Sequence, residues 1–200
     1  MAAYREIKRK VLELINQYSV AGETISPAYN NQADYIHRIP GLINDALQRI
    51  RTEARPRVST YMFSNGGTLC GDMKMHSLPT GYRGVKTGGV YRISEGQFEP
   101  FGAYRLIGET SVLFPDDGAN YMMEYYAAPD YLPENPSDEY DTDEDPEILT
   151  AACYFATAML VVDRNEYHYT VLYNEFQRRV AGMTRPPTAE ISTITDVYGI

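Results

Sequence analysis

"DTDEDPEILTAACYF", residues 141–155, sets four acidic side chains within five positions directly against an apolar run. Whether that junction is a metal loop or the start of a helix decides how the rest of the chain is read. A calcium loop wants oxygen ligands at alternate positions, Gly at the sixth and Glu at the twelfth. Asp141, Asp143 and Asp145 meet the first demand, but Pro146 stands in the Gly position and Ala152 in the Glu position. A helix start accounts for the same residues without remainder. Asp145 suits the N-cap, Pro146 the first helical position where no amide is needed, and Glu147 the first turn, where negative charge meets the positive helix end. The junction therefore reads as a solvated linker running into a helix, with weak cation binding or a charged contact with a partner as the alternatives.

Downstream, Ile148, Leu149, Ala152, Phe155, Ala156, Met159 and Leu160 recur at three- and four-residue steps, the spacing of one buried helical stripe. The small side chains of "TAACYFATA" permit close approach of a second helix. After Asp163, Arg164 and Asn165 another helix is marked by Tyr169, Leu172, Tyr173, Phe176 and Val180, with Gly182 placed as its C-terminal cap. "RPPTAEISTITDVYGI" then closes the sequence. Its paired prolines forbid helix, and Ile191, Thr193, Thr195 and Val197 favour β structure, so residues 183–200 are expected to be an extended arm that becomes a strand only by finding an edge elsewhere.

Upstream, "PDYLPENPSDEYDTDEDP" (129–146) has Pro at four positions and too few apolar residues to fold alone, and it reads as an irregular linker. Before it, residues 57–129 change to short runs rich in Tyr, Phe, Val and Thr punctuated by Gly, the pattern of strands and turns. "VSTYMF", "GVYRI", "YRLIG", "SVLF" and "NYMMEYYA" are the clearest strands, and in the last of them Tyr121, Met123 and Tyr125 face one way while Met122, Glu124 and Tyr126 face the other. The N-terminal region returns to helical spacing. Ile7, Val11, Leu14, Ile15 and Tyr18 form the stripe of a first helix ending near Gly22, and Tyr35, Ile36, Ile39, Ile43, Leu47 and Ile50 that of a second, which must stop before Pro56. Pro40 and Gly41 predict a kink or restart within the second helix.

The expected fold is α+β: a four-helix bundle of two N-terminal and two C-terminal helices (1–56 and 140–182), an inserted antiparallel β-sandwich or barrel (57–130), a linker (131–139) and the arm (183–200). The 200 residues suffice for one ample core or two small ones, and 44% apolar with 22% charged residues excludes a globally disordered chain. A net charge of −9, with basic residues clustered only in "YREIKRK", argues against gripping nucleic acid. The 18 tyrosines, each an apolar ring with a polar tip, suit half-buried subunit contacts. Cys70 and Cys153 are far apart and compose no disulfide framework, which fits a reducing cytoplasm. No apolar stretch is long enough for a secretory signal or membrane span.

No catalytic, cofactor or metal constellation emerges. "TGYRGVKTGG" (80–89) resembles a phosphate loop only superficially, because Val85 displaces the Gly before Lys86 and a strand follows, so it is expected to be a turn or mobile loop. His37, His76 and His168 lie in three different segments without paired spacing. Cys153 reads as a small core residue on the helical stripe. The chain is therefore not expected to be an enzyme.

Three phrases, "YREIKRKVLELINQYSVAGETI", "NQADYIHRIPGLINDALQRI" and "DPEILTAACYFATAMLVVDRNEYHYTVLYNEFQRRV", together about half the chain, resemble the head-to-tail adaptor (connector) proteins of tailed bacteriophages. The large β insertion departs from the minimal all-helical adaptor. The resemblance implies a virion protein of the neck, made in the host cytoplasm: a ring, dodecameric as a rule, formed with neighbouring copies of itself, docked below the portal protein and offering a platform to the next neck or tail protein, with DNA passing through its channel. It also implies a C-terminal segment that reaches the portal, here carried by Pro187, Ile191, Ile194, Val197, Tyr198 and Ile200. An acidic wall would repel the phosphate backbone and let DNA slide. The rival from another class is a virion-anchored binding module whose insertion recognises a glycan or host surface by stacking sugars on Tyr82, Tyr91, Phe98, Phe101 and Tyr104.

Overall fold

The computed structural model describes residues 2–15 and 32–183. It is an α+β protein with, among the described residues, four helices, two four-stranded antiparallel sheets and one short two-stranded sheet. The chain divides into two compact units. One is discontinuous and draws on residues up to Ile50 and from Leu132 onward; the other is Arg51–Tyr131.

In the discontinuous unit, strand β1 (Ala2–Ala3) leads into helix α1 (Tyr4–Leu14), which buries Tyr4, Ile7, Val11 and Leu12. Leu12 and Leu14 flank the stripe on opposite sides; Leu12 is buried, and the expected Leu14 is partly buried. Tyr18 and Gly22, where this helix was expected to continue and end, lie outside the described residues. Helix α2 (Gln32–Glu53) runs through Pro40 as one element and stops before Pro56. Pro40 has no amide to give the carbonyl of Ile36. The Tyr4 hydroxyl of α1 donates to that carbonyl at 3.5 Å, and α2 continues without a restart.

Helix α3 (Pro146–Val161) begins as the sequence requires: the Asp145 side chain accepts from the Glu147 amide at 2.8 Å, with Pro146 in the first turn. The packing around it corrects the expected bundle. Eleven of its sixteen residues are buried, from Ile148 to Val161, so α3 is covered on nearly every side rather than along one stripe. A helix of that kind belongs at the centre. Helix α4 (Glu166–Met183) and α1 both approach α3 closely, whereas α2 meets its neighbours through side chains, as in the hydrogen bond from Arg49 to the Tyr173 hydroxyl at 3.0 Å. Two N-terminal and two C-terminal helices do not form an even four-membered bundle. Asn165 caps α4, its side chain accepting from the His168 amide at 2.9 Å. Gly182 lies inside α4 and not at its C-cap, because α4 continues to Met183.

The acidic linker is more ordered than its composition implies. Strand β10 (Asp141–Thr142) pairs antiparallel with β1, and the amides of Tyr4 and Arg5 donate to the carbonyls of Tyr140 and Asp138 at 2.8 and 3.1 Å. Lys8 and Asp138 add an ion pair at 2.6 Å. Further back, Asn44 of α2 holds the buried Leu132 backbone at both ends: its Nδ2 donates to the Leu132 carbonyl and its Oδ1 accepts from the Leu132 amide, each at 2.8 Å.

The second unit contains β2 (Arg57–Phe63), β3 (Thr68–Cys70), β4 (Met73–Ser77), β5 (Tyr82–Ser94), β6 (Gln97–Pro100), β7 (Arg105–Ile107), β8 (Ser111–Pro115) and β9 (Asn120–Ala127). One sheet has the order β2-β9-β5-β6 and the other β3-β4-β8-β7. Phe63, Val90, Tyr121, Met123 and Tyr125 of the first and Val112 and Phe114 of the second make one buried cluster. The two-residue period of β9 is visible in the result, with Tyr121, Met123 and Tyr125 buried and their neighbours only partly so.

"TGYRGVKTGG" is strand β5 in large part, not a mobile loop. The register with β9 shifts between Val85 and Val90, which makes a bulge containing Gly88 and Gly89. A side chain at Gly89 would meet the carbonyls of Glu124 and Lys86 at 2.8 and 2.9 Å, so glycine here permits close backbone approach and nothing phosphate-specific.

Candidate functional site

The acid run is a structural seam. Asp141 lies on an exposed edge, Thr142 and Glu144 are buried, and Asp145 is consumed by the helix cap. Among the described residues no three His, Cys, Asp or Glu side chains are placed to hold a metal ion. His37 is exposed on α2, His168 is half-buried on α4, and His76 stands in the β unit. Cys153 is buried, and burial pushes its thiol up to about 12, the state of an inert core residue. The arm residues Pro187, Ile191, Ile194, Val197, Tyr198 and Ile200 lie outside the described residues.

Two surfaces stand out among the described residues. On the β2-β9-β5-β6 sheet, the side opposite the core is a tiled apolar face. The pairings Val58 with Tyr126, Met62 with Met122, Met122 with Tyr91 and Ile93 with Phe98 run across it from one edge strand to the other. Val58, Met62 and Phe98 are 46%, 54% and 54% exposed, which is high for side chains of this type on a sheet. One ion pair, Lys86 to Glu124 at 2.9 Å, interrupts the face. Thr60 and Asn120 share that side.

Five aromatic rings were candidates for a sugar platform, and the fold separates them. Tyr82, Phe101 and Tyr104 pack against the β core, Phe101 with its ring 5.0 Å from that of Tyr121. Only Tyr91 and Phe98 remain on the outer face. Three of the five are thus spent on stability, a distinction that residue type alone does not carry.

A second surface lies on the helical unit. Tyr167 is 81% exposed and Val171 48% exposed on α4, beside a groove lined by Tyr154, Leu172, Asn174 and Glu175. Arg178 and Arg179 converge on Glu175 at 2.8 and 2.7 Å. The hydrogen bond from Arg178, with the charges of both arginines, holds the Glu175 carboxyl below the usual carboxylate range. Arg179 also lies over the Tyr154 ring, 4.7 Å from its centroid.

His76 supplies a pH response inside the β unit. Its ring is 5.5 Å from Phe63 and 5.8 Å from Phe114, and a side chain at Gly67 would meet it at 2.9 Å. Burial first, and the Lys74 charge second, lower its pKa below the ordinary 6.5. The folded state therefore holds this imidazole neutral where the unfolded chain would protonate it. Stability is complete above 6.5 and is lost as pH falls through the lowered folded value. Unfolding of the β unit, followed by urea titration between neutral and mildly acidic pH, is expected to become easier in that window, and His76→Gln to flatten the dependence. Asp117, paired with Arg92 at 3.0 Å and with its carboxyl below the usual 3.8, contributes only in more acidic solution.

No family model matches the chain, and a search of curated proteins finds no match.

Proposed function

We propose that this chain is a structural virion protein, a head-to-tail adaptor of a tailed bacteriophage. In this reading copies assemble as a ring below the portal, meet the next neck or tail protein on the far side, and surround a channel through which DNA passes without sequence-specific binding. The observation that carries the reading is the discontinuous helical unit, built from both flanks of the sequence and interrupted by a self-contained β unit. That organisation matches a body whose helices serve a common assembly role while the insertion varies. The β unit is read as a sandwich formed by its two sheets over their shared aromatic core.

Two further features support it. Large apolar side chains are exposed on each unit, Tyr167 and Val171 on the helices and Val58, Met62 and Phe98 on the sheet, as expected of a subunit made to be covered by neighbours. The net charge of −9 suits a wall past which phosphate must slide. The role is architectural and requires no turnover.

Residues 184–200 are assigned to portal contact through Ile191, Ile194, Val197 and Tyr198. Deleting them is expected to weaken recruitment to portal rings of the same phage by about tenfold or more, the loss of a few buried apolar anchors. Co-sedimentation and electron microscopy of the mixture measure this. Unchanged affinity of the truncated protein removes the arm assignment, and failure of the full-length protein to bind any portal removes the adaptor reading.

A further inference from the structure

We infer that copies of this chain join head to tail through the two open edges of the β2-β9-β5-β6 sheet, β2 of one copy pairing with β6 of the next. Among the described residues no strand lies beyond either edge. Natural sheets guard such edges with bulges, inward charges or proline. Edge strand β2 has neither bulge nor proline inside it: seven residues, RVSTYMF, pair with β9 in unbroken register, and the inward charges Arg57 of β2 and Glu99 of β6 are of opposite sign, with Pro100 only at the end of β6.

Direction comes first. The sheet has four strands and every neighbouring pair is antiparallel, so β2 and β6 run in opposite directions. A second copy set edge to edge in the same orientation therefore continues the antiparallel pattern. A sheet with an odd number of alternating strands would not allow this.

Charge and face come next. Arg55 and Arg57 stand at the start of β2, while Glu95 and Glu99 stand at β6 and the turn before it. The same sheet is thus basic at one edge and acidic at the other. The ladder shows which side each residue takes. Arg57 shares the two-residue phase of Phe63, on the core side, and Glu99 pairs with Arg92, which pairs with Tyr121 of that side. Val58 and Phe98 belong to the opposite, outer side. Placing Arg57 opposite the next copy's Glu99 then sets Val58 opposite Phe98 and Ser59 opposite Gln97. One register matches opposite charges on one face and apolar side chains on the other. It also covers two of the most exposed apolar groups of the β unit, Val58 and Phe98.

The contact is heterologous: each copy offers a different edge to its two neighbours, so it propagates to a closed ring or an open filament and never stops at two. The pairing is argued from the sheet alone. Its closure into a ring rests on the adaptor reading above.

The test uses the full chain with the exposed Cys70 replaced by Ser. Ser59→Cys and Gln97→Cys are made singly and together and oxidised mildly. The double variant is expected to give a ladder of covalent dimers, trimers and higher species, and each single variant to remain monomeric. Thr60→Cys with Gln97→Cys, which places the thiols on opposite faces, is the control and should not cross-link efficiently. Sedimentation of charge variants gives an independent measure. Arg57→Glu and Glu99→Arg are each expected to weaken self-association about tenfold, and the double swap to restore it. Circular dichroism verifies that each variant folds. A dimer from Ser59→Cys alone would show β2 pairing with itself and overturn the inference, as would a folded double variant that yields no ladder. If the ladder is absent while the protein still forms rings with the portal, this contact is wrong and the adaptor reading stands. If the ladder forms and no portal is bound, the reverse holds.

Discussion

Phe114→Ala is expected to destabilise the β unit by about 3–5 kcal/mol, the largest effect of any single truncation in it. Phe114 is fully buried and is the ring through which the two sheets hold each other. It stacks on Tyr121 with centroids 4.3 Å apart and planes within 6°, and its ring is 5.1 Å from Phe63 and 5.8 Å from His76. Removing it leaves a cavity between flat, rigid neighbours that cannot collapse into the space as aliphatic side chains would. Phe114→Leu keeps most of the volume and loses the stack, and should fall well short of the alanine cost. Urea unfolding followed by the tyrosine signal reads both. If alanine costs less than leucine, or if the two are equal, Phe114 is not the link between the sheets.

That core also shows what was legible from residue order alone. The strands around Phe63, Phe114 and Tyr121 carry their own two-residue alternation or a continuous apolar run, and β2, the second half of β5, β8 and β9 follow from it. Strands β3 and β6 do not: all of their residues are exposed, so neither has a buried side to imprint on its sequence, and β7, equally exposed, was announced only by the adjacent Leu106 and Ile107 of "YRLIG". They exist by pairing with a neighbour. The same distinction explains α3. Its stripe from Ile148 to Leu160, Cys153 included, was readable, yet Ala151, Thr157 and Ala158 are also buried, and small residues are compatible with either a solvent face or a tight contact. Only the partners decide, and α1 and α4 lie against it. Asp145, by contrast, was legible to the atom, because N-cap, Pro and first-turn acid act within a few residues of one another. The candidate surface lay between these cases: the alternation in β9 announced an outer face, while the separation of Phe98 from Phe101 and Tyr104 needed the long-range fold.

The linker yields the second large effect. Asn44→Ala is expected to cost the helical unit about 2–4 kcal/mol, more than a typical surface polar substitution, because one side chain satisfies both the amide and the carbonyl of Leu132. Leu132 is buried, 3% exposed, so neither backbone group can turn to bulk water without withdrawing the leucine from the core. The Pro-rich stretch that follows has little secondary structure with which to absorb the loss, and its backbone meets α1 at Asp138 and Tyr140. Asn44→Asp separates the two bonds. The carboxylate still accepts from the Leu132 amide but sets a second oxygen against the Leu132 carbonyl, and no donor replaces Nδ2. Aspartate is nearly the size of asparagine, so an aspartate variant as unstable as the alanine one, or more so, places the effect in the hydrogen bonds. Amide hydrogen exchange at Leu132 provides the local readout: protection there should drop in both variants, while protection in the middle of α3 falls only as far as global stability does. Native-like protection at Leu132 in Asn44→Ala would mean that packing of the leucine alone holds the segment, and that the asparagine clamp is incidental.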